Sequence, residues 1–211
     1  MIKRNTAFVM SLLTLVASGA CGGTSSSVAP TPPQLLIVDQ SYEPHSATEV
    51  AFSIIGGAAV QTFTVGVTGK LAAVDLIADS GIVGLIAPDL CAQGFTLDVQ
   101  VTSTTIDGIP SSQVLAAGRV PSNMLPSRTL SVEPPLDFTH VALSPLVDVV
   151  AGNVLAISAT LSGFRCGEIR GGGTFVTPST YAGGEAFFQG PQWFAADYAD
   201  YYFRTHVIPR Q

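Results

Sequence analysis

The chain is poor in charge. Of its 211 residues only 11% are charged, against about 25% in a typical soluble domain, and its lysines are Lys3 and Lys70 alone. With 9 Lys/Arg against 15 Asp/Glu the net charge is −6. Clusters of basic residues neutralise phosphates, so their absence excludes nucleic acid as a partner and argues equally against adhesion to anionic membrane surfaces. Cysteine is scarce, at 3 residues. None stands in a CxxC or CxxH spacing, so there is no zinc signature and zinc is not expected. The GxSxG elbow, HExxH, the P-loop, GxGxxG and the EF-hand loop are all missing, which counts against those classes alone. His45, His140 and His206 lie in separate segments and read singly as exposed or hydrogen-bonded side chains. No repeat with a period of about 20 to 50 residues is evident.

What is present begins with a leader. Lys3 and Arg4 precede an apolar run from Ala7 to Ala17, and the small residues Ser18, Gly19 and Ala20 close it, the pattern of a secretory signal peptide over residues 1–20. The run falls short of the roughly 20 apolar residues that span a bilayer as a helix. With Lys3 and Arg4 removed, the 9 basic residues become 7 against 15 acidic ones, and the net charge moves to −8. Next come Cys21, glycines and serines to Ser27, and Pro30, Pro32 and Pro33. Flexible Gly/Ser chain followed by extended Pro-rich chain makes residues 21–34 a tether. Ser18-Gly19-Ala20-Cys21 resembles a bacterial lipobox, which implies lipidation of Cys21 and a cell-envelope lipoprotein touching the membrane through its anchor alone. Each buried methylene of such an anchor contributes about 0.8 kcal/mol. Ser18 stands where Leu is usual, so ordinary cleavage after Ala20 and plain secretion remain the alternative. Once Cys21 is assigned, Cys91 and Cys166 are left in an oxidising compartment. An even remainder is expected to form one disulfide, the alternative being two buried thiols.

From residue 35 to 211 the periodicity is that of strands. Phe95, Leu97, Val99 and Val101 alternate with Thr96, Asp98 and Gln100, giving one core face and one wet face. Less regular runs of the same kind occupy 35–38, 50–55, 60–67, 71–78, 114–116, 138–143, 154–161, 173–176, 185–189 and 201–208. Turn signals separate them: Gly56-Gly57, Asp79-Ser80-Gly81, Asp107-Gly108, Gly152-Asn153, Gly171-Gly172-Gly173 and Gly183-Gly184. Many short strands without an amphipathic helix predict an antiparallel β-sandwich or a closed barrel. The stretches 50–69 and 149–164 carry no long helical span. A membrane barrel would place aromatic girdles in each strand, whereas aromatics are thin before residue 175.

Of the 17 aromatic residues, 9 fall between Tyr181 and Phe203. As core, Phe187 and Phe188, and Tyr201 to Phe203, would alternate between faces. As a binding site, Trp193, Tyr181 and Tyr198 would offer flat apolar faces with polar handles to a sugar ring or a protein, with Trp193 on a turn after Gln189-Gly190-Pro191-Gln192. Asp197 and Asp200 flank Tyr198-Ala199 and are candidate oxygen ligands for a structural Ca²⁺, although that ion takes about six to eight ligands. With 15 acidic residues, two carboxylates in a cleft would also suit glycoside hydrolysis.

The order of short motifs resembles that of bacterial extracellular proteins. The motifs are Val38-Asp39-Gln40-Ser41, Gln61-Thr62-Phe63-Thr64, Gly69-Lys70-Leu71, Val74-Asp75-Leu76, Gly108-Ile109-Pro110 and Val114-Leu115-Ala116. Further on come Val150-Ala151-Gly152, Tyr181 to Gly184, Trp193 and Asp200 to Thr205. The domain in question is a jelly-roll β-sandwich similar in architecture to carbohydrate-binding modules. The resemblance implies a binding or structural module, with a glycan or envelope protein as partner and no catalytic residue to carry over. Cys166 stands where that pattern has an aromatic residue, in keeping with a disulfide to Cys91. The expectation is a non-catalytic jelly-roll module that binds a glycan or protein. An extracellular polysaccharide hydrolase and a purely structural envelope protein are the alternatives.

Overall fold

The computed structural model describes residues 34–44, 51–54, 57–81, 91, 94–127, 137–162, 166–172, 180–189 and 193–211. They belong to one compact unit, Gln34–Gln211. The signal peptide, Cys21, most of the tether, His45 and the strand expected at 173–176 lie outside the described residues. Among the described residues, apart from the short 3₁₀ turn Ser122–Met124 and Cys91, which is helical, the regular elements are strands. They are β1 Ile37–Tyr42, β2 Ala51–Ile54, β3 Ala58–Thr64, β4 Gly69–Ser80, β5 Thr96–Thr104, β6 Pro110–Pro121 and β7 Phe138–Val149. The rest are β8 Val154–Leu161, β9 Gly167–Gly172, β10 Ala186–Gln189, β11 Trp193–Ala195, β12 Asp200–Tyr201 and β13 Phe203–Pro209. Among the described residues no helix is long and apolar enough to cross a membrane.

The strands pair antiparallel as an all-β sandwich. The strand order is one continuous path, β1-β13-β4-β7-β6-β5-β8-β3-β10-β11, and the part β1-β13-β4-β7 forms one sheet of the sandwich while β6-β5-β8-β3-β10-β11 forms the other. Alternation along β5 explains the inner layer: Leu97, Val99 and Val101 are wholly buried and face Leu161, Ala159 and Ile157 across the ladder to β8. The opposite sheet contributes Leu71, Val74, Leu76, Val141 and Val207 to the same core. Phe63 of β3 and Phe203 of β13 meet across the sandwich with ring centroids 6.1 Å apart. Each such side chain removed from water contributes roughly 1.5–3 kcal/mol.

The two sheets meet at one edge, where Ala117 of β6 pairs with Ser144 of β7. The β4–β7 ladder skips there, passing from Leu71 opposite Val147 to Ala73 opposite Ala142, and the skipped stretch contains the cis bond Ser144-Pro145. Gly118 allows the approach, since a Cβ at that position would lie 2.4 Å from the Ala142 carbonyl oxygen.

The end of β4 leaves its sheet to pair with β9, which also carries β2 and β12. The Gly171-Gly172 turn expected from sequence is instead the end of strand β9. Its glycines are needed for contact rather than reversal: a Cβ on Gly171 would lie 2.2 Å from the Asp200 carbonyl oxygen. On the same strand Arg170 donates to Asp79 at 3.1 Å and to Glu168 at 2.7 Å, and all three side chains are buried. Cys91 and Cys166 form a disulfide, with Cα atoms 5.4 Å apart.

The aromatic end of the chain departs from simple alternation. Tyr201, Tyr202 and Phe203 are all buried, because the chain breaks register between β12 and β13 and the amide of Tyr202 donates to the Arg170 carbonyl. The Tyr202 ring then stacks on Tyr42, with centroids 5.4 Å apart.

Candidate functional site

The wet face of the six-stranded sheet carries a groove of about 420 Å³. Strand register builds its floor: Ser158 of β8 lies opposite Gln100 of β5 and Val60 of β3, with Thr160 and Thr102 on neighbouring rungs. Ser111, Ser112 and Val114 of β6 form one wall, and Trp193 of β11 closes the other side. The hairpin from β5 to β6 is held by Ser103 and Ser111, whose hydroxyls are 2.7 Å apart.

Trp193 is half-buried. It packs with Ala58 against Val60, Ala156 and Phe187, a small apolar cluster separate from the sandwich core. Trp193, expected on a turn, instead opens strand β11 and pairs with Gln189 of β10; residues 190–192 of that turn lie outside the described residues. Among the described residues, none of the groove-lining side chains is ionisable. Chemically the groove offers an aromatic side chain at one end and a row of hydroxyls and amides along the floor. Its volume lies within the range of about 300–1,000 Å³ usual for small-molecule sites.

The other aromatic candidates stand elsewhere. Tyr181 donates its hydroxyl to the Gln40 side-chain oxygen at 2.6 Å and sets its ring at 90° to Phe203, 5.1 Å between centroids. Burial, with the nearby charges of Asp39 and Asp200, pushes its phenol up to about 12. Tyr181 lines a second cleft of about 280 Å³, together with Asp197 and Asp200. Tyr198 occupies the turn beside it.

The structure thus brings Asp197 and Asp200 to one cleft but gives them different environments. Asp197 is exposed on the turn, whereas Asp200 is buried. One Asp200 oxygen accepts from the Gln61 amide and the other from the Tyr181 backbone N–H, both at 2.7 Å. Burial raises the Asp200 carboxyl above its usual value. It clamps the aromatic segment to β3.

Two of the three histidines also come together. His140 and His206, on different strands, both contact Asp75. Sequence reading missed this, because 65 and 131 residues separate them from that aspartate and no local spacing links them.

Comparison with protein-family models, curated proteins and solved structures finds no match to this chain.

Proposed function

We propose that this protein is a non-catalytic module of the cell envelope that binds a neutral glycan in the groove beside Trp193. The observation that carries the reading is the uncharged lining of that groove: Trp193 next to Gln100, Thr102, Ser112, Ser158 and Thr160. A sugar ring pairs an apolar C–H face with a rim of hydroxyls. An aromatic side chain suits the first, and neutral donors and acceptors suit the second, each hydrogen bond contributing about 0.5–1.5 kcal/mol net. A charged ligand would find no opposite charge among the described residues that line it.

The strand order supports a jelly-roll reading of the sandwich. Eight strands form two four-stranded halves, β1-β13-β4-β7 and β3-β8-β5-β6, and the chain passes repeatedly from one half to the other, as in double Greek-key sandwiches. Delivery to the envelope rests on the leader and on Cys21 as the lipid-bearing residue. Labelled fatty acid should enter the wild type and be absent from Cys21→Ser.

Affinity electrophoresis and calorimetry against a panel of neutral soluble polysaccharides test the binding. Wild type should be retarded by at least one polymer. Trp193→Ala should abolish the retardation, and Gln100→Ala should weaken it while leaving the fold intact by circular dichroism. Failure of every polymer, or equal binding by Trp193→Ala, would refute the reading.

A further inference from the structure

The outer face of the β1-β13-β4-β7 sheet carries a second constellation. Asp75 sits at the middle of β4 between the core residues Val74 and Leu76, so its side chain leaves the core on the other face. His140 lies directly opposite on β7. Arg204 lies directly opposite on β13, and His206 follows two residues further on the same face of that strand. One Asp75 oxygen is 2.7 Å from Nδ1 of His140, and the other is 2.7 Å from Nε2 of His206. All three ligand-type atoms lie within 4.8 Å of one another.

We infer that Asp75, His140 and His206 bind a zinc ion, with a water in the fourth position. Imidazole nitrogen and carboxylate oxygen are zinc donors, at about 2.0–2.1 Å and 2.0–2.2 Å respectively, and three protein ligands plus water is the arrangement of an open zinc site. Tetrahedral bonds of that length place donor atoms roughly 3.3 Å apart. Each Asp75 oxygen contacts a different histidine at 2.7 Å, so with one oxygen as the zinc donor the contact it makes opens by about half an ångström to admit the ion, and the exposed His140 ring can turn toward it.

Three features favour a cation at this point. The donors stand on adjacent paired strands, which position a first shell better than loops do. The Asp75 carboxylate is buried at 7% exposure, where its attraction for a cation is screened less than at the surface. The nearest cationic side chain, Arg204, is already matched: it forms a two-pronged ion pair with Glu43 at 2.8 and 2.7 Å and lies over the Phe138 ring, 4.0 Å from its centroid.

The fourth position has access to solvent. The His140 side chain is 54% exposed, and it lines a cleft of about 670 Å³ with Arg119, Met124 and Phe138. The same donors would take ferrous iron, but zinc stands above iron in the general affinity order for such ligands. This site lies on the sheet opposite the Trp193 groove and stands or falls independently of glycan binding.

Calorimetry with Zn²⁺ alone, on the full chain stripped with EDTA and dialysed, tests the inference. Wild type should bind one equivalent and melt at a higher temperature when zinc is present. Loss of an outer-shell partner alone typically costs 10–100-fold in metal affinity, so His140→Ala and His206→Ala should each weaken binding by at least about 100-fold. Because His140 is exposed, its variant should keep the wild-type circular dichroism spectrum. Co²⁺ should give the visible bands of a tetrahedral ion in wild type and lose them in Asp75→Asn. Absence of zinc binding by wild type would overturn the site and leave a metal-free His–Asp–His hydrogen-bond clamp. Unchanged binding by either histidine variant would overturn it as well.

Discussion

Gln61 holds Asp200 from across the domain. Its side-chain amide donates to the Asp200 carboxylate at 2.7 Å while its carbonyl accepts from the Tyr201 backbone N–H at 2.9 Å. One buried side chain of β3 thereby satisfies two polar groups of β12, 139 and 140 residues away. A buried carboxylate with both oxygens engaged is stable in place, yet burial still penalises its charge.

That penalty gives a pH signature. Burial raises the Asp200 pKa above 3.8, against the lowering effect of hydrogen bonds from Tyr181 and Gln61. The folded protein therefore holds the proton more tightly than the unfolded chain does. The resulting stability is complete below pH 3.8 and is lost as pH rises through the folded-state value. The difference in unfolding free energy between wild type and Asp200→Asn should fall as pH rises from 3.8 and then level off. Urea titrations at a series of pH values measure it, and a difference that stays flat or rises would contradict the burial argument.

Arg170 pairs with both the Asp79 and Glu168 carboxylates, and it is 5% exposed. Arg170→Met should cost about 3–5 kcal/mol by leaving two buried acids without that counter-charge. Replacing the acids as well, with Asp79→Asn and Glu168→Gln, should recover part of the loss. Chemical denaturation of the single and triple variants checks both statements; a single-variant cost below about 1 kcal/mol would be too small for this role.

Cys91 and Cys166 close a loop with a sequence separation of 75. Constraining the unfolded chain over such a length contributes about 2–4 kcal/mol, so Cys91→Ala with Cys166→Ala should lower the denaturation midpoint accordingly. Thiol titration of the unfolded wild type should gain two thiols on reduction. An equal count with and without reductant would exclude the bond.

Glu43 and Arg204 form a half-exposed pair, with side chains 42% and 33% exposed. The hydrogen bond from Arg204 is the leading cause of the lowered Glu43 carboxyl. Here the sign is opposite to Asp200: the contribution is present above pH 4.5 and disappears as pH falls through the lowered folded-state value. Screening by solvent limits the pair to about 0.2–1 kcal/mol. Glu43→Gln should cost that much near neutral pH and little in strong acid. Arg204→Ala should cost about 0.5–1 kcal/mol more, through the lost stacking on Phe138. Thermal denaturation of the two variants side by side separates these effects.

Much of the sandwich was legible locally. β5 announced itself because side chains alternate with a period of two, so a run such as Phe95 to Val101 states which face is wet before any partner is known. The strand β9 was hidden for the opposite reason. Glycine is the usual turn residue, and nothing local distinguishes a glycine needed for reversal from Gly171, which is needed for close passage of Asp200. The charged side chains of Glu168 and Arg170 masked the strand further, because their burial depends on each other and on Asp79.

The sequence by itself determined the strand content and a low-charge composition rich in hydroxyls and amides, and it singled out Cys91 and Cys166 as the pair expected once Cys21 is set aside. The tertiary structure decided which of those residues meet. Trp193 shares a groove with Ser158, Gln100 and Ser112 only because β8, β5 and β6 continue the sheet beyond β3 and β10. Asp75 gains two histidines only because β13 and β7 flank β4. Periodicity records the environment each side chain prefers, whereas strand order is set by how the whole chain buries its apolar faces together. The scarcity of charge seen at the outset thus describes the Trp193 groove well, while Asp75, Arg170 and Asp200 are charged side chains buried against polar or charged partners.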